Sequence, residues 1–227
     1  MKKKRNTPRL WVKEAGKYQK AVESFRTLEN TIFRYKEKEN VQTILITGVE
    51  RRVGTSTAAF NLALICAKDM PQQKILLIDT DISSPSLHKS FDFPPSPGAI
   101  DFFYGEAMLS EVVQESFLPN LKLIGLGGNS KESISPFTRQ SFQDFLQFVK
   151  KHYDFIFIDS APWLNSSHTQ RVSLQTDGVI VVAEAYRTHI ETVTELYHKL
   201  QLNNIFLLGS FLNRRRHPVP QWLYNRI

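Results

Sequence analysis

The sequence predicts an α/β fold: a mostly parallel sheet with helices on both faces. Three observations carry this. Short apolar, β-branched runs alternate with helical segments along the chain, the spacing that βαβ units produce. Runs such as KILLIDT at 74–80 and GVIVVA at 178–183 are continuously apolar, as strands buried on both faces are. Residues 43–63, TILITGVERRVGTSTAAFNLA, read as a strand, a glycine loop and a helix start. That is the layout of a phosphate-binding loop, in which backbone N–H groups and a helix N-terminus face an anion.

In chain order, residues 1–16 lack a periodic apolar face, and residues 1–20 are expected to form a basic arm ahead of a single domain at 21–227. Ala21 to Tyr35 predicts a helix whose apolar stripe is Val22, Phe25, Leu28, Ile32 and Phe33. On it Glu23 and Arg26 lie three apart and can face each other. Thr43 to Thr47 is the first strand, Gly48 to Gly54 the loop, and the helix runs from Ser56. Lys74 to Thr80 is the second strand. Polar residues 82–87 and the Pro94–Gly98 break follow, then short helical pieces at Ala99–Tyr104 and Leu109–Val113. Leu121 to Leu126 is a third strand closed by Gly127 and Gly128. Pro136 to Lys151 predicts an amphipathic helix, and Asp154 to Asp159 a fourth strand. Gly178 to Ala183 is a fifth, Ile190 to Leu200 a helix, and Ile205 to Phe211 a sixth strand, with Arg214 to Arg216 directly after it.

With 227 residues and 41% hydrophobic content the chain can bury a substantial core. The single cysteine, Cys66, excludes a disulfide framework and is expected to pack as a small hydrophobe. No apolar run reaches the roughly 20 residues of a membrane span, and no apolar stretch follows the charged start, so the expectation is a cytoplasmic protein. Residues 1–40 carry twelve Lys/Arg and five Asp/Glu, so the whole formal charge of +7 lies there. Such an arm suits an anionic membrane surface or an acidic partner, or is simply a solvated tail. Its few aromatics, Trp11 and Tyr18, make nucleic acid an unexpected partner.

Three aspartates, Asp79, Asp81 and Asp159, stand at or just past strand ends. In an open α/β sheet ligands bind at that edge, from which the glycine loop also leaves. A magnesium nucleotide site needs this set: a hydroxyl such as Ser56 on the metal, a strand-end carboxylate, and a second carboxylate to orient the attacking group. The expected metal-binding residues are Ser56, Asp79 and Asp159.

In these residues the chain resembles the bacterial tyrosine kinases of capsule and exopolysaccharide synthesis. These are the CpsD/CapB/Wzc cytoplasmic-domain type, within the deviant Walker ATPases of the P-loop NTPase class. Glu23 to Arg26 matches the start of the family's E-x-x-R-x-x-R helix, which the resemblance makes a subunit contact. Val53 to Asn61 lies on Walker A, 75–85 (ILLIDTDISSP) on the second Walker motif, and 153–162 (YDFIFIDSAP) on Walker B. Residues 212–223 resemble the family's C-terminal end. The resemblance implies ATP or ADP with Mg2+, held by Arg51, Arg52, Val53, Gly54, Thr55, Ser56 and Thr57, with Asp79, Asp81 and Asp159 as the catalytic acids. It also implies a membrane polysaccharide co-polymerase or chain-length protein as partner, and homo- or hetero-oligomers.

The departures bear on activity. The Walker A lysine is Thr55, a glycine position is Arg52, Glu50 replaces the signature lysine of partition-type ATPases, and Glu29 replaces the last arginine of the helical motif. Only Tyr224 remains of the C-terminal tyrosine cluster. Thr55 offers one neutral hydrogen bond in place of a point charge, and arginine is a poor occupant of a positive-φ position. The site therefore keeps its acids and loses its base. The expectation is a catalytically degenerate subunit that disfavours anions without magnesium. The alternatives are an active autokinase in which Arg51 or Arg52 replaces the lysine, and a partition-type ATPase, against which Glu50 argues. Glu29 is expected to face a neighbouring subunit or solvent.

Overall fold

The structure is a computed structural model that describes residues 19–128 and 139–214, with side chains at 22–128 and 140–214. The first eighteen residues of the basic arm, the start of the helix expected at 136–151, and the tail after 214 with Tyr224 lie outside the described residues.

Helix α1 (Gln19–Glu39) leads into β1 (Thr43–Gly48), the loop, and α2 (Thr55–Asp69). Then come β2 (Ile75–Asp79), α3 (Leu87–Phe91), α4 (Ala99–Phe103), α5 (Leu109–Val112), β3 (Val113–Glu115) and β4 (Leu121–Ile124). The second half holds α6 (Arg139–Val149), β5 (Phe155–Asp159), a 3-10 turn at Trp163–Asn165, α7 (Ser167–Ser173), β6 (Gly178–Glu184), α8 (Ile190–Leu202) and β7 (Leu207–Asn213). The expected α/β fold is present, and each of the six expected strands is there. The reading missed the short β3 and the helices α3 and α7. Residues 113–115 and 167–173 lack a usable apolar period, and α3 lies partly in what read as a polar loop.

The seven strands are ordered β3-β4-β2-β5-β1-β6-β7. All neighbours are parallel except β3, which runs antiparallel to β4 at the edge. Alternation along each strand divides the core. Ile44, Ile46, Leu77, Phe157 and Val182 face α1 and α2, while Leu45, Leu76, Ile156, Ile158 and Val181 face α6 and α8. Cys66 is buried in the first layer, and burial pushes its thiol pKa up, which suits packing over reactivity. Because β5 lies between β1 and β2, the loop after β1 and the aspartates ending β2 and β5 share one edge. No described helix is long and apolar enough to cross a membrane.

Helix α1 buries the core of its expected stripe and corrects two other expectations. Its stripe of Phe25, Leu28 and Ile32 is buried inside the chain, and Phe25 stacks on Phe211 of β7 at 4.5 Å between ring centroids. Arg26 pairs not with Glu23 but with Asp69 at the end of α2, Nε to Oδ2 at 3.0 Å. Glu29 is neither solvated nor facing outward: it is 7% exposed. Burial and then the charge of Asp69 push its pKa up to about 7, against the pull of Arg26.

Candidate functional site

The loop leaves β1 with Val49 N–H bonded to the Val182 carbonyl of β6 at 2.9 Å. It ends at Gly54, the N-cap of α2, at φ 90°. Only glycine fits there: a Cβ would have a strained backbone and collide with Asn213 Nδ2. Arg52 takes a left-handed conformation at φ 65°. The expectation that arginine would block that backbone is therefore corrected; the chain accepts a strain of about 1 kcal/mol. The Thr55 hydroxyl leans back over the end of β1, 2.6 Å from where a Cβ on Gly48 would sit. This short, neutral side chain brings no positive charge to a terminal phosphate.

A cleft of about 1410 Å³ opens over the loop. Gly54, Thr55, Ser56 and Thr57 line it; Val53, also expected there, is fully buried and does not. Its charged lining is Arg51, Arg52, Lys89 and Arg214 against Glu50 and Asp81. Basic side chains therefore outnumber acids at its surface, which corrects the picture of a site that lost its base. The cations moved to the rim.

The strand-end acids sit deeper. Asp79 and Asp159 are register partners on β2 and β5, and both are fully buried. Asp79 is occupied: Oδ1 accepts from Asp81 N–H at 3.0 Å, and Oδ2 from Ser86 and Leu87 N–H at 2.8 and 3.0 Å. It is a cap for the turn after β2, and these bonds take three of the roughly four lone-pair sites it has for the metal expected there. Burial raises its pKa to about 6, against those three N–H groups. Burial, and then Asp79, raise Asp159 further, while the Ser56 hydroxyl favours its charged form. Neither Asp159 oxygen has a hydrogen-bond partner of normal geometry among the described residues. Asp81 lines the cleft and accepts from Ser83 and Ser84 N–H through Oδ1.

Magnesium fits this set in part. An unpartnered buried carboxylate beside a serine hydroxyl is a hard-oxygen donor pair of the kind Mg2+ takes alongside phosphate oxygens. Asp159 and Ser56 would hold the ion, and its chemistry there would be to neutralise phosphate charge.

Two residues escaped the sequence reading. Arg187, just past β6, donates to the Arg51 and Arg52 carbonyls at 3.0 and 3.5 Å. Asn213, the last residue of β7, donates to the Val53 carbonyl at 2.7 Å. Both stand at the ends of strands on the β1 side of the sheet. Asn213 closes an apolar strand, the signal that marks the aspartates; Arg187 lies in the turn three residues past β6 and carries no such signal. Glu50 accepts from the Thr188 hydroxyl at 3.0 Å and faces Arg187, so it has become a structural partner in the place of a phosphate ligand.

Residues 41–205 match the family described as AAA domain (AAA_31). The chain is 26% identical over 213 residues to the tyrosine-protein kinase ptk of Acinetobacter johnsonii, covering 94% of this chain and 28% of that protein. It is 24% identical to the putative tyrosine-protein kinase CapB of Staphylococcus aureus, covering 94% and 92% of the two chains. The kinase domain of the Escherichia coli tyrosine kinase ETK superposes with a TM-score of 0.77 at 23% identity, over 88% of this chain and 79% of that one. This chain thus spans about a quarter of the length of the first relatives it matches.

Proposed function

The chain belongs to the AAA domain family and to the bacterial tyrosine kinases within it, and from that premise we propose that it is a kinase-like subunit of capsule or exopolysaccharide synthesis that binds nucleotide phosphates and transfers them very slowly or not at all. One observation carries the reading: the neutral Thr55 stands in the lysine position, with its hydroxyl close to Gly48 at the end of β1. The lysine offsets charge on the β- and γ-phosphates as it develops. Losing one preorganised contact of that kind costs roughly 10²–10³ in rate. The loop amides and the N-terminus of α2 still suit α- and β-phosphates.

The chain acts, on this reading, by docking on a membrane protein of polysaccharide chain-length control. Residues 1–20, which run into the start of α1, supply the basic contact ahead of one folded unit. Deleting residues 1–16 should leave the melting temperature unchanged and weaken sedimentation with anionic vesicles. A large drop in melting temperature would contradict this.

A second reading, an active tyrosine autokinase, is favoured by the cleft's basic rim of Arg51, Arg52, Lys89 and Arg214. Incubation with labelled MgATP separates the two. No steady incorporation is expected; incorporation that Asp159→Asn abolishes would establish the autokinase.

A further inference from the structure

We propose that Arg187 is a positioning residue that sets the shape of the phosphate loop from outside the cleft. The inference rests on the reading of that loop as a phosphate cradle. Three consecutive loop carbonyls, those of Arg51, Arg52 and Val53, are taken by side chains from β6 and β7: two by Arg187 and one by Asn213. A peptide is planar, with its N–H opposed to its carbonyl. Fixing these carbonyls toward the sheet's β6–β7 side turns the N–H groups of Arg52, Val53 and Gly54 the other way. Among the described residues no hydrogen bond within the chain engages those N–H groups; Arg52 and Gly54 line the cleft and can offer theirs to a ligand, while Val53 is fully buried.

Arg187 is itself fixed. Glu184 accepts from its Nη1 at 3.0 Å, and Glu50 lies 3.8 Å from its Nη2. The Thr188 hydroxyl donates to Glu50 and accepts from the Glu184 N–H, closing the circuit between β6 and the loop. Glu184 also holds Arg214, which lines the cleft, at 2.9 Å.

The backbone carries a second sign. Arg52 and Tyr186 are both non-glycine residues at φ 65°, one in each of the two segments that Arg187 joins. Such conformations persist where the surroundings over-determine them, and they cluster at functional sites. The loop is thus held by a guanidinium from the turn after β6. A guanidinium suits that task because its donors are fixed in a planar fork that spans two carbonyls.

The test compares wild type, Arg187→Ala and Arg187→Lys in the full chain. Backbone 15N order parameters of residues 50–56 are measured without ligand, and MgADP and magnesium pyrophosphate are titrated by calorimetry. Arg187→Ala should drop the loop from the rigid range of about 0.85 to below about 0.6 and bind both ligands about tenfold more weakly, the scale of one charged hydrogen bond. The melting temperature and the order parameters of β1, β2 and β5 should stay the same. Arg187→Lys keeps the charge without the fork and should recover part of both effects; it also decides the matter if the alanine variant fails to fold. Unchanged loop order parameters would overturn the proposal. A loosened loop with unaltered affinity would overturn the positioning role. Failure of the wild type to bind either ligand would overturn the nucleotide reading instead, with the order parameters still deciding whether Arg187 shapes the loop.

Discussion

The loop wall of the cleft lies near the surface and is held from outside, by Arg187 and Asn213 on its carbonyls. The carboxylate wall lies in the core and is held from within, by three backbone N–H groups on Asp79. The difference shows which parts of a phosphate site can change. The shape of the loop comes from neighbouring strands, so its lysine could become Thr55 and a glycine Arg52 without loss of the fold. The aspartates are structural as well as chemical. Replacing Asp79 would unpair a turn, which gives the acids a reason to remain whether or not the site transfers phosphate.

The contrast is sharpest for Asp79→Ala. It leaves the N–H groups of Asp81, Ser86 and Leu87 without their acceptor, and should cost about 3 kcal/mol of stability in urea unfolding. Asp79→Asn, which keeps an acceptor oxygen, should cost less. A loss under about 1 kcal/mol would show that Asp79 is no more structural than the loop.

A third buried carboxyl, away from the cleft, serves as a control. Glu29 has its pKa raised from 4.5 to about 7. Between those values the folded chain binds more protons than the unfolded one, so stability falls as pH rises. The stabilisation is complete below pH 4.5 and gone above about 7. Asp79, raised to about 6, adds in the same direction. Glu29→Gln should therefore flatten the fall between pH 5 and 8 by on the order of 2 kcal/mol, read from urea unfolding at the two pH values. What slope remains combines the cleft acids with His168, whose pKa burial lowers to about 4, so that its contribution rises with pH up to about 6.5. An unchanged slope would mean that Glu29 titrates as a surface group.

The sheet and its edge were legible in the sequence because parallel strands are written as unbroken apolar runs and three of the site acids close or follow them. What stayed hidden depends on contacts between distant segments. Arg187 and Asn213 are 135 and 160 residues from the loop carbonyls they bind, and nothing local sets them apart from other strand-end polar residues. The rim cations Lys89 and Arg214 needed the fold to bring α3 and β7 over the loop. Glu29 could have been placed. It lies four residues after Phe25 and three before Ile32, on the stripe that faces α2. Its charge diverted the reading toward a subunit contact, although geometry had already assigned the position to the core.

The central claim is that the loop keeps a phosphate cradle and has lost the charge that drives transfer. The most direct test is calorimetric titration of wild type and Thr55→Lys with MgATP, with phosphate release followed on the same samples. The account predicts that wild type binds without measurable release, and that Thr55→Lys binds about 10- to 100-fold more tightly, the return of one charged contact. Equal affinity in the two proteins, or steady phosphate release by the wild type, would contradict it.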